Sequence, residues 1–357
     1  MTVESTAIRL ANIQALRAIA ALLVVAIHVQ ANELRASADP LLSPWLYHGV
    51  AGVDLFFVIS GFIMVHVTRG RFGKGSAALE FLYHRALRVY PPVWLFTALA
   101  VLGFYAQGTL ADWLSRSGLV ESFLLIPQRA DPLLGVSWTL IHELYFYAIF
   151  SCFLLLPQNR LPLALALWSA GIAAGLAFGI GPDSNPWLKL VFHPHTFEFI
   201  AGAFAGLLFH HGHYRRPALI AGIGVALFLA GAWVLGLRGP ENYPAFWGRV
   251  LAFGPGATLI VLGMAGLELQ KKMTPTRWLQ HVGDWSYSLY LSHILVIAAL
   301  AHLWAPFARP GPVDNVIMII AMVALPLIVS AAAYRFYERP TLQLGKKWGR
   351  RLFKAPS

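Results

Sequence analysis

The stretch "ALRAIAALLVVAIHVQ", residues 15–30, decides the fold. Ten small and apolar residues, Ala18 to Ile27, run unbroken between Arg17 and His28. They sit in an apolar segment of about 20 residues, the length that crosses a bilayer's hydrocarbon core. No small-residue cleavage site follows, and further apolar runs do, so this is expected to be a retained membrane helix and not a signal peptide. Ionisable groups inside such a helix are costly and call for a use.

Composition points the same way. Of 357 residues, 58% are hydrophobic and 12% charged, with a mean hydropathy of +0.63. An ordinary soluble domain is about 25% charged. The single cysteine, Cys152, excludes an internal disulfide and lies in the apolar run "FYAIFSCFLLLP", where it reads as a small core or lipid-facing residue.

Ten apolar segments are predicted to span: 11–30, 49–67, 89–107, 134–156, 161–180, 192–209, 217–236, 247–267, 285–304 and 314–336. Pro and Gly punctuate the gaps, as in "LLPQNRLP" and "APFARPGP". The expected architecture is an all-α integral membrane protein, one bundle of about ten transmembrane helices over residues 1–357, with a short basic cytoplasmic tail at 337–357. No internal repeat, low-complexity tract or soluble appendage is evident.

The net charge of +11 does not point to nucleic acid, because the basic residues fall mostly in short loops between spans. With the N-terminus in the cytoplasm, 19 of the 27 Lys and Arg lie inside and seven outside, and Arg17 lies in a helix. The inside set runs from Arg9 to Lys354; the outside set includes Arg238 and Arg249. Both termini are therefore expected in the cytoplasm, and an even helix count agrees.

Arg17 and His28 are eleven residues apart. At 100° per residue they project from one helix face, roughly 20° from three whole turns and about 16 Å apart along the axis. The pair predicts one shared cavity. Snorkelling of Arg17 to the cytoplasmic headgroups, with His28 at the outer interface, satisfies the same spacing.

Other polar groups inside the spans weigh against that plainer alternative. "GVDLFFVISGFIM" puts Asp54 and Ser60 in the second span, with Asp54 expected at the depth of His28, where it would orient the imidazole. "SWTLIHELYFYAIF" places His142 and Glu143 mid-span. "HPHTFEFIAG" contributes Glu198, and "GDWSYSLYLSH" contributes Ser286, Ser292 and His293. In "FLYHRALRVYPPVW", Arg85 and Arg88 are neighbours on a helix face at the cytoplasmic entrance, suited to phosphates or to simple inside-positive anchoring. His193 and His195 in "HPH" hint at a metal, but the intervening proline and the lack of nearby ligands argue against one. "HHGH", with His210, His211 and His213, reads as a loop cap.

These pieces, with "NIQALRAIAALLVVAIHV", "FEFIAGAFAG" and "YERP", run in order from residue 12 to residue 340. The chain resembles the membrane-bound acyltransferase 3 family, and within it the exopolysaccharide-production O-acetyltransferase branch. The resemblance implies a multi-pass enzyme of the bacterial cytoplasmic (inner) membrane. It would take an acyl group, usually acetyl, from cytoplasmic acyl-CoA to a hydroxyl of a glycan or lipid-linked glycan acceptor. The family's Arg-x10-His matches Arg17 and His28, its paired arginines match Arg85 and Arg88, and its fourth-span glutamate matches Glu143.

The expected mechanism places acetyl-CoA as donor on Arg85 and Arg88, with Arg17 deeper. His28 acts as general base, Glu143 and Asp54 orient groups or hold the acceptor, and Glu198, Ser286 and His293 contact substrate. No metal is expected. The rival is a transporter or flippase of lipid-linked sugars, which also needs charges in a bundle but has no use for acyl-CoA.

Overall fold

The structure is a computed structural model that describes residues 10–37, 39–180, 185–237, 247–309 and 311–353. Arg9, Arg238 and Lys354, used above to set orientation, lie outside the described residues. Eleven helices carry the architecture: α1 (Ala11–Ala36), α2 (Ala51–Thr68), α3 (Gly75–Ala106), α4 (Trp138–Phe153), α5 (Leu161–Ala177), α6 (Thr196–His210), α7 (Pro217–Gly236), α8 (Trp247–Leu269), α9 (Arg277–Trp304), α10 (Pro312–Ala333) and α11 (Arg339–Leu352). No strand occurs among the described residues.

Eight helices among the described residues are long and apolar enough to cross a membrane, and the protein is a multi-pass membrane protein. Two of the ten segments expected to span fall short. α4 has 16 residues and α6 has 15, where a span needs about 20. The flanking apolar residues are spent on turns. Gly135–Ser137 forms a 3-10 turn before α4, and Pro186–Val191 forms a separate short helix before α6. Irregular backbone at that depth is tolerated where protein, not lipid, surrounds it, and His193 and His195 in the turn before α6 are buried.

α1 and α2 sit at the centre. α1 packs along α9 through Ala18, Ala21, Val25 and Val29 against Val282, Leu289 and Ile297. α2 packs on α6 at very close range. A Cβ on Gly61 would lie 1.9 Å from the Phe199 carbonyl oxygen, and one on Gly202 would lie 1.9 Å from that of Val58. Small residues that let backbones meet are the usual device for joining helices in a bilayer, where apolar burial alone does not drive association. The outer helices turn Leu167, Leu229, Ile320 and Ile328 outward, exposed to where lipid would lie.

α3 is longer than the predicted span from 89. It runs from Gly75 through Pro91 and Pro92. Proline removes a helical hydrogen bond, here those that the carbonyls of Leu87 and Arg88 would accept, and two tyrosine hydroxyls brace the helix beside the break. Tyr287 donates to the Val89 carbonyl at 2.9 Å and Tyr337 to that of Pro91 at 3.1 Å. Arg85 and Arg88 therefore lie well inside a continuous helix. The segment expected as a basic tail is likewise helical. α10 passes through a π-helical turn, Tyr334–Glu338, into α11.

Candidate active site

A cavity of about 760 Å³ opens between α1, α2, α3, α4, α9 and α11. Its α2 wall runs from Val53 to Val67, about 21 Å at 1.5 Å per residue, so the space is elongated along the helix axes. Of the residues singled out in the sequence, Arg17, Arg85, Arg88, Glu143 and Ser286 all line it. They come from four different helices, and each occupies the inward face that membrane burial demands of a polar side chain.

The polar groups are organised in pairs. Glu143 accepts hydrogen bonds from Ser60 Oγ at 2.7 Å and from the Tyr147 hydroxyl. Arg17 donates to Gln14 Oε1 at 3.3 Å. Arg88 lies 3.7 Å from the buried carboxylate of Glu338 and 5.5 Å over the Tyr287 ring. Ser288 Oγ donates to the other Glu338 oxygen at 2.6 Å. Arg85 lies between the rings of Phe81 and Tyr147, 5.5 and 5.7 Å from their centres, and its buried Nε has no hydrogen-bond partner. Toward the mouth, Arg71 pairs with Glu80.

His28 does not share this cavity with Arg17, contrary to the expectation from spacing. Both do face α9: Arg17 lines the cavity with Ser286 and Tyr287, and His28 touches His293. The distance along the helix separates them. Phe56 and Tyr290 line the cavity and meet edge-to-face at 5.9 Å, and the Tyr290 ring also lies 5.9 Å, centre to centre, from that of His293. The Tyr290 hydroxyl is held by Thr139 Oγ1 at 2.9 Å and the Val136 carbonyl at 3.1 Å.

The histidine pair has a defined hydrogen-bond sense. His28 Nδ1 lies 2.8 Å from the Val24 carbonyl oxygen, and His293 Nδ1 lies 3.0 Å from that of Leu289. A carbonyl only accepts, so each Nδ1 carries the proton and each Nε2 presents a lone pair. His293 Nε2 lies 3.3 Å from His28 Nδ1 and receives a share of its N–H. This leaves His28 Nε2 as a basic nitrogen on a ring braced from behind.

Asp54 and Glu198 belong to a separate cluster, and Asp54 does not meet His28. Gly52 faces α1, where a Cβ would meet the Ala20 carbonyl. Asp54 lies two residues on, 200° around the helix, and so faces α6 and α8. There its Oδ2 accepts from Arg249 at 2.5 Å, while His195 Nδ1 lies 2.9 Å from Glu198 Oε2. Ligand atoms of Asp54, His195 and Glu198 lie within 4.8 Å of one another, but the Arg249 guanidinium already brings a cation to Asp54. Phe57 separates this cluster from the cavity, lining the cavity and lying 5.3 Å from the His195 ring.

Four residues at or beside the site carry little sequence signal. Arg249 reads as an outer orientation charge, and Glu338 lies within "YERP". Lys346 and Arg350, assigned to the tail, line the cavity from α11. Their spacing with Leu342, four residues and again four, was the available signal for a helix face.

Fold and site together define a polytopic membrane protein with an elongated internal cavity lined by arginines. The chain belongs to the acyltransferase 3 family, whose acyltransferase-domain model matches residues 10–335, and it is a membrane acyltransferase. It is 33% identical over 305 residues to the exopolysaccharide production protein ExoZ of Rhizobium meliloti, covering 84% of this chain and 91% of that one. It is 26% identical to the acyltransferase MdmB of Streptomyces mycarofaciens, covering 94% and 92%. With the peptidoglycan O-acetyltransferase OatA of Listeria monocytogenes it shares 22% identity, covering 94% of this chain and 56% of that one. No solved structure matches.

Proposed function

We propose that the protein transfers an acetyl group from cytoplasmic acyl-CoA to a hydroxyl of a cell-surface or exported polysaccharide, or of its lipid-linked precursor. The observation that carries this is the geometry of the cavity. It begins among cations and reaches Tyr290, whose ring lies next to that of His293 in a braced histidine pair. A donor with phosphates at one end and a thioester at the other matches that polarity. The relatives named for exopolysaccharide production and for peptidoglycan O-acetylation support a glycan acceptor.

Arg85 and Arg88, with Arg17 further in, hold donor phosphates by charge-assisted hydrogen bonds. The pantetheine arm lies along α2, past Ser60 and Glu143. When the Tyr290 ring turns aside, the thioester carbonyl meets the acceptor hydroxyl next to His28. Nε2 of His28 takes the hydroxyl proton as the oxygen attacks the carbonyl carbon. The C–O bond forms, the C–S bond breaks, and the same proton passes to the departing thiolate, giving the acetyl ester and free CoA thiol. His293, accepting from Nδ1–H, steadies the transient imidazolium and is a positioning residue. In this reading Glu198 and Asp54, on the other side of Phe57, hold the acceptor sugar.

Purified protein in nanodiscs, supplied with labelled acetyl-CoA and surface glycan, is expected to release CoA thiol only when glycan is present and to label the glycan. Failure to bind acyl-CoA would overturn the assignment and favour sugar export, which has no use for it.

A further inference from the structure

α11 presents three faces in fourteen residues. Gly345 and Gly349 lie against α3: a Cβ on Gly345 would meet the Leu87 side chain at 2.2 Å, and one on Gly349 the Tyr83 ring at 2.8 Å. Tyr83 fixes the contact by donating to the Gly345 carbonyl at 2.8 Å. Leu344, Trp348 and Leu352, four apart, are exposed and form an apolar stripe. Leu342, Lys346 and Arg350, also four apart, line the cavity. An amphipathic helix lying at a membrane surface carries an apolar face and a basic one. Here part of the basic face is turned into the candidate active site.

The glycine contacts set the depth. Gly345 meets Leu87 and Gly349 meets Tyr83 and His84, so α11 runs antiparallel to α3. Lys346 and Arg350 accordingly lie outward of Arg88, toward the cytoplasmic mouth, with Arg350 one turn further out. Both are exposed, and neither makes an ion pair among the described residues. Arg71, the other arginine at the mouth, is committed to Glu80.

We propose that Lys346 and Arg350 bind the adenosine 3′-phosphate of the acyl-CoA donor, a recognition site separate from the diphosphate contacts of Arg85 and Arg88. This rests on the acyl-CoA reading above. The 3′-phosphate is at the end of the donor remote from the thioester. When the thioester reaches toward Tyr290, that end remains at the mouth, where two uncommitted cations project from a helix pinned to α3. A dianionic phosphate is the group two adjacent cations recognise best. The matched family model ends at residue 335, and both residues lie beyond it.

The test compares acetyl-CoA with 3′-dephospho-acetyl-CoA, by direct binding, in the native protein and in Lys346→Gln/Arg350→Gln. The native protein is expected to prefer acetyl-CoA about tenfold or more, the scale of one or two charge-assisted contacts. The double variant is expected to bind acetyl-CoA only as well as the dephospho form, and to bind the dephospho form as the native protein does. That retained binding also shows that the variant is folded. Lys346→Arg/Arg350→Lys should restore the preference. Equal binding of both donors by the native protein, or an undiminished preference in the glutamine variant, overturns the 3′-phosphate site and leaves the donor assignment standing. A native protein that binds neither overturns the donor assignment itself.

Discussion

At the residue scale, the proposed chemistry rests on His28 and His293. With both Nδ1 atoms held by backbone carbonyls, His28→Ala removes the base while His293→Gln leaves a side chain of similar reach. His28→Ala is expected to lower the turnover number by about 10²–10⁴-fold, the usual contribution of a general base, with acetyl-CoA binding retained. His293→Gln should lower it less and should shift the pH profile of turnover, because it alters the stability of the His28 imidazolium. Near-native turnover of His28→Ala would remove it from the mechanism. The paired arginines should behave differently. Arg85→Ala/Arg88→Ala is expected to raise the KM for acetyl-CoA by tenfold or more, since hydrogen bonds to charged groups are worth about 1.5–3 kcal/mol each. Added salt should raise the native KM in the same direction, and an unchanged KM in the double variant would disprove the donor site. The sequence disclosed which residues face inward, because a charged group in a span has nowhere else to go. It did not disclose their partners. Asp54 looked like a companion for His28, and only the 200° turn from Gly52 shows that it belongs with Arg249.

At the scale of elements, spans were legible where apolar length was sufficient and uncertain where turns consumed it. α4 and α6 have span-like composition, yet their preceding turns shorten them, a tertiary choice that hydropathy does not register. α3 carried the opposite ambiguity. Its double proline reads as a boundary, yet the helix continues through it, and the two tyrosine hydroxyls bonded beside the prolines come from residues some two hundred positions away. The α2–α6 seam gives a sharp prediction. Gly61→Ala or Gly202→Ala pushes a methyl group into a facing carbonyl, an overpacking cost of about 1–3 kcal/mol. Each should lower the thermal midpoint in detergent. Gly171→Ala and Gly222→Ala, with nothing within 4 Å of the new carbon, should leave the midpoint unchanged or raise it, since alanine is the better helix former. Equal behaviour of the two pairs would show that the seam is not tight.

For the whole molecule, the distribution of basic residues predicts that both termini face the cytoplasm, and this can be checked directly. In a Cys152→Ala background, cysteines replacing the exposed residues Arg35 and Lys347 report opposite sides. An impermeant maleimide should label Arg35→Cys in intact cells and Lys347→Cys only after permeabilisation. The reverse pattern would invert the molecule and place the cavity mouth outside. The sequence announced the bundle but not how its far ends meet, because the packing of α11 on α3 depends on two glycines that carry no hydropathic signal.

That union of far ends bears on how the protein comes into being. The walls of one cavity draw on Gln14 and on Arg350, so nearly the whole chain must leave the ribosome before the space can hold a ligand. Early helices can insert one after another, but a nascent chain that stops before α11 has its Arg17, Arg85 and Arg88 in place with the mouth unfinished. The cavity is then completed in a single late step, when the last helix folds back onto α3.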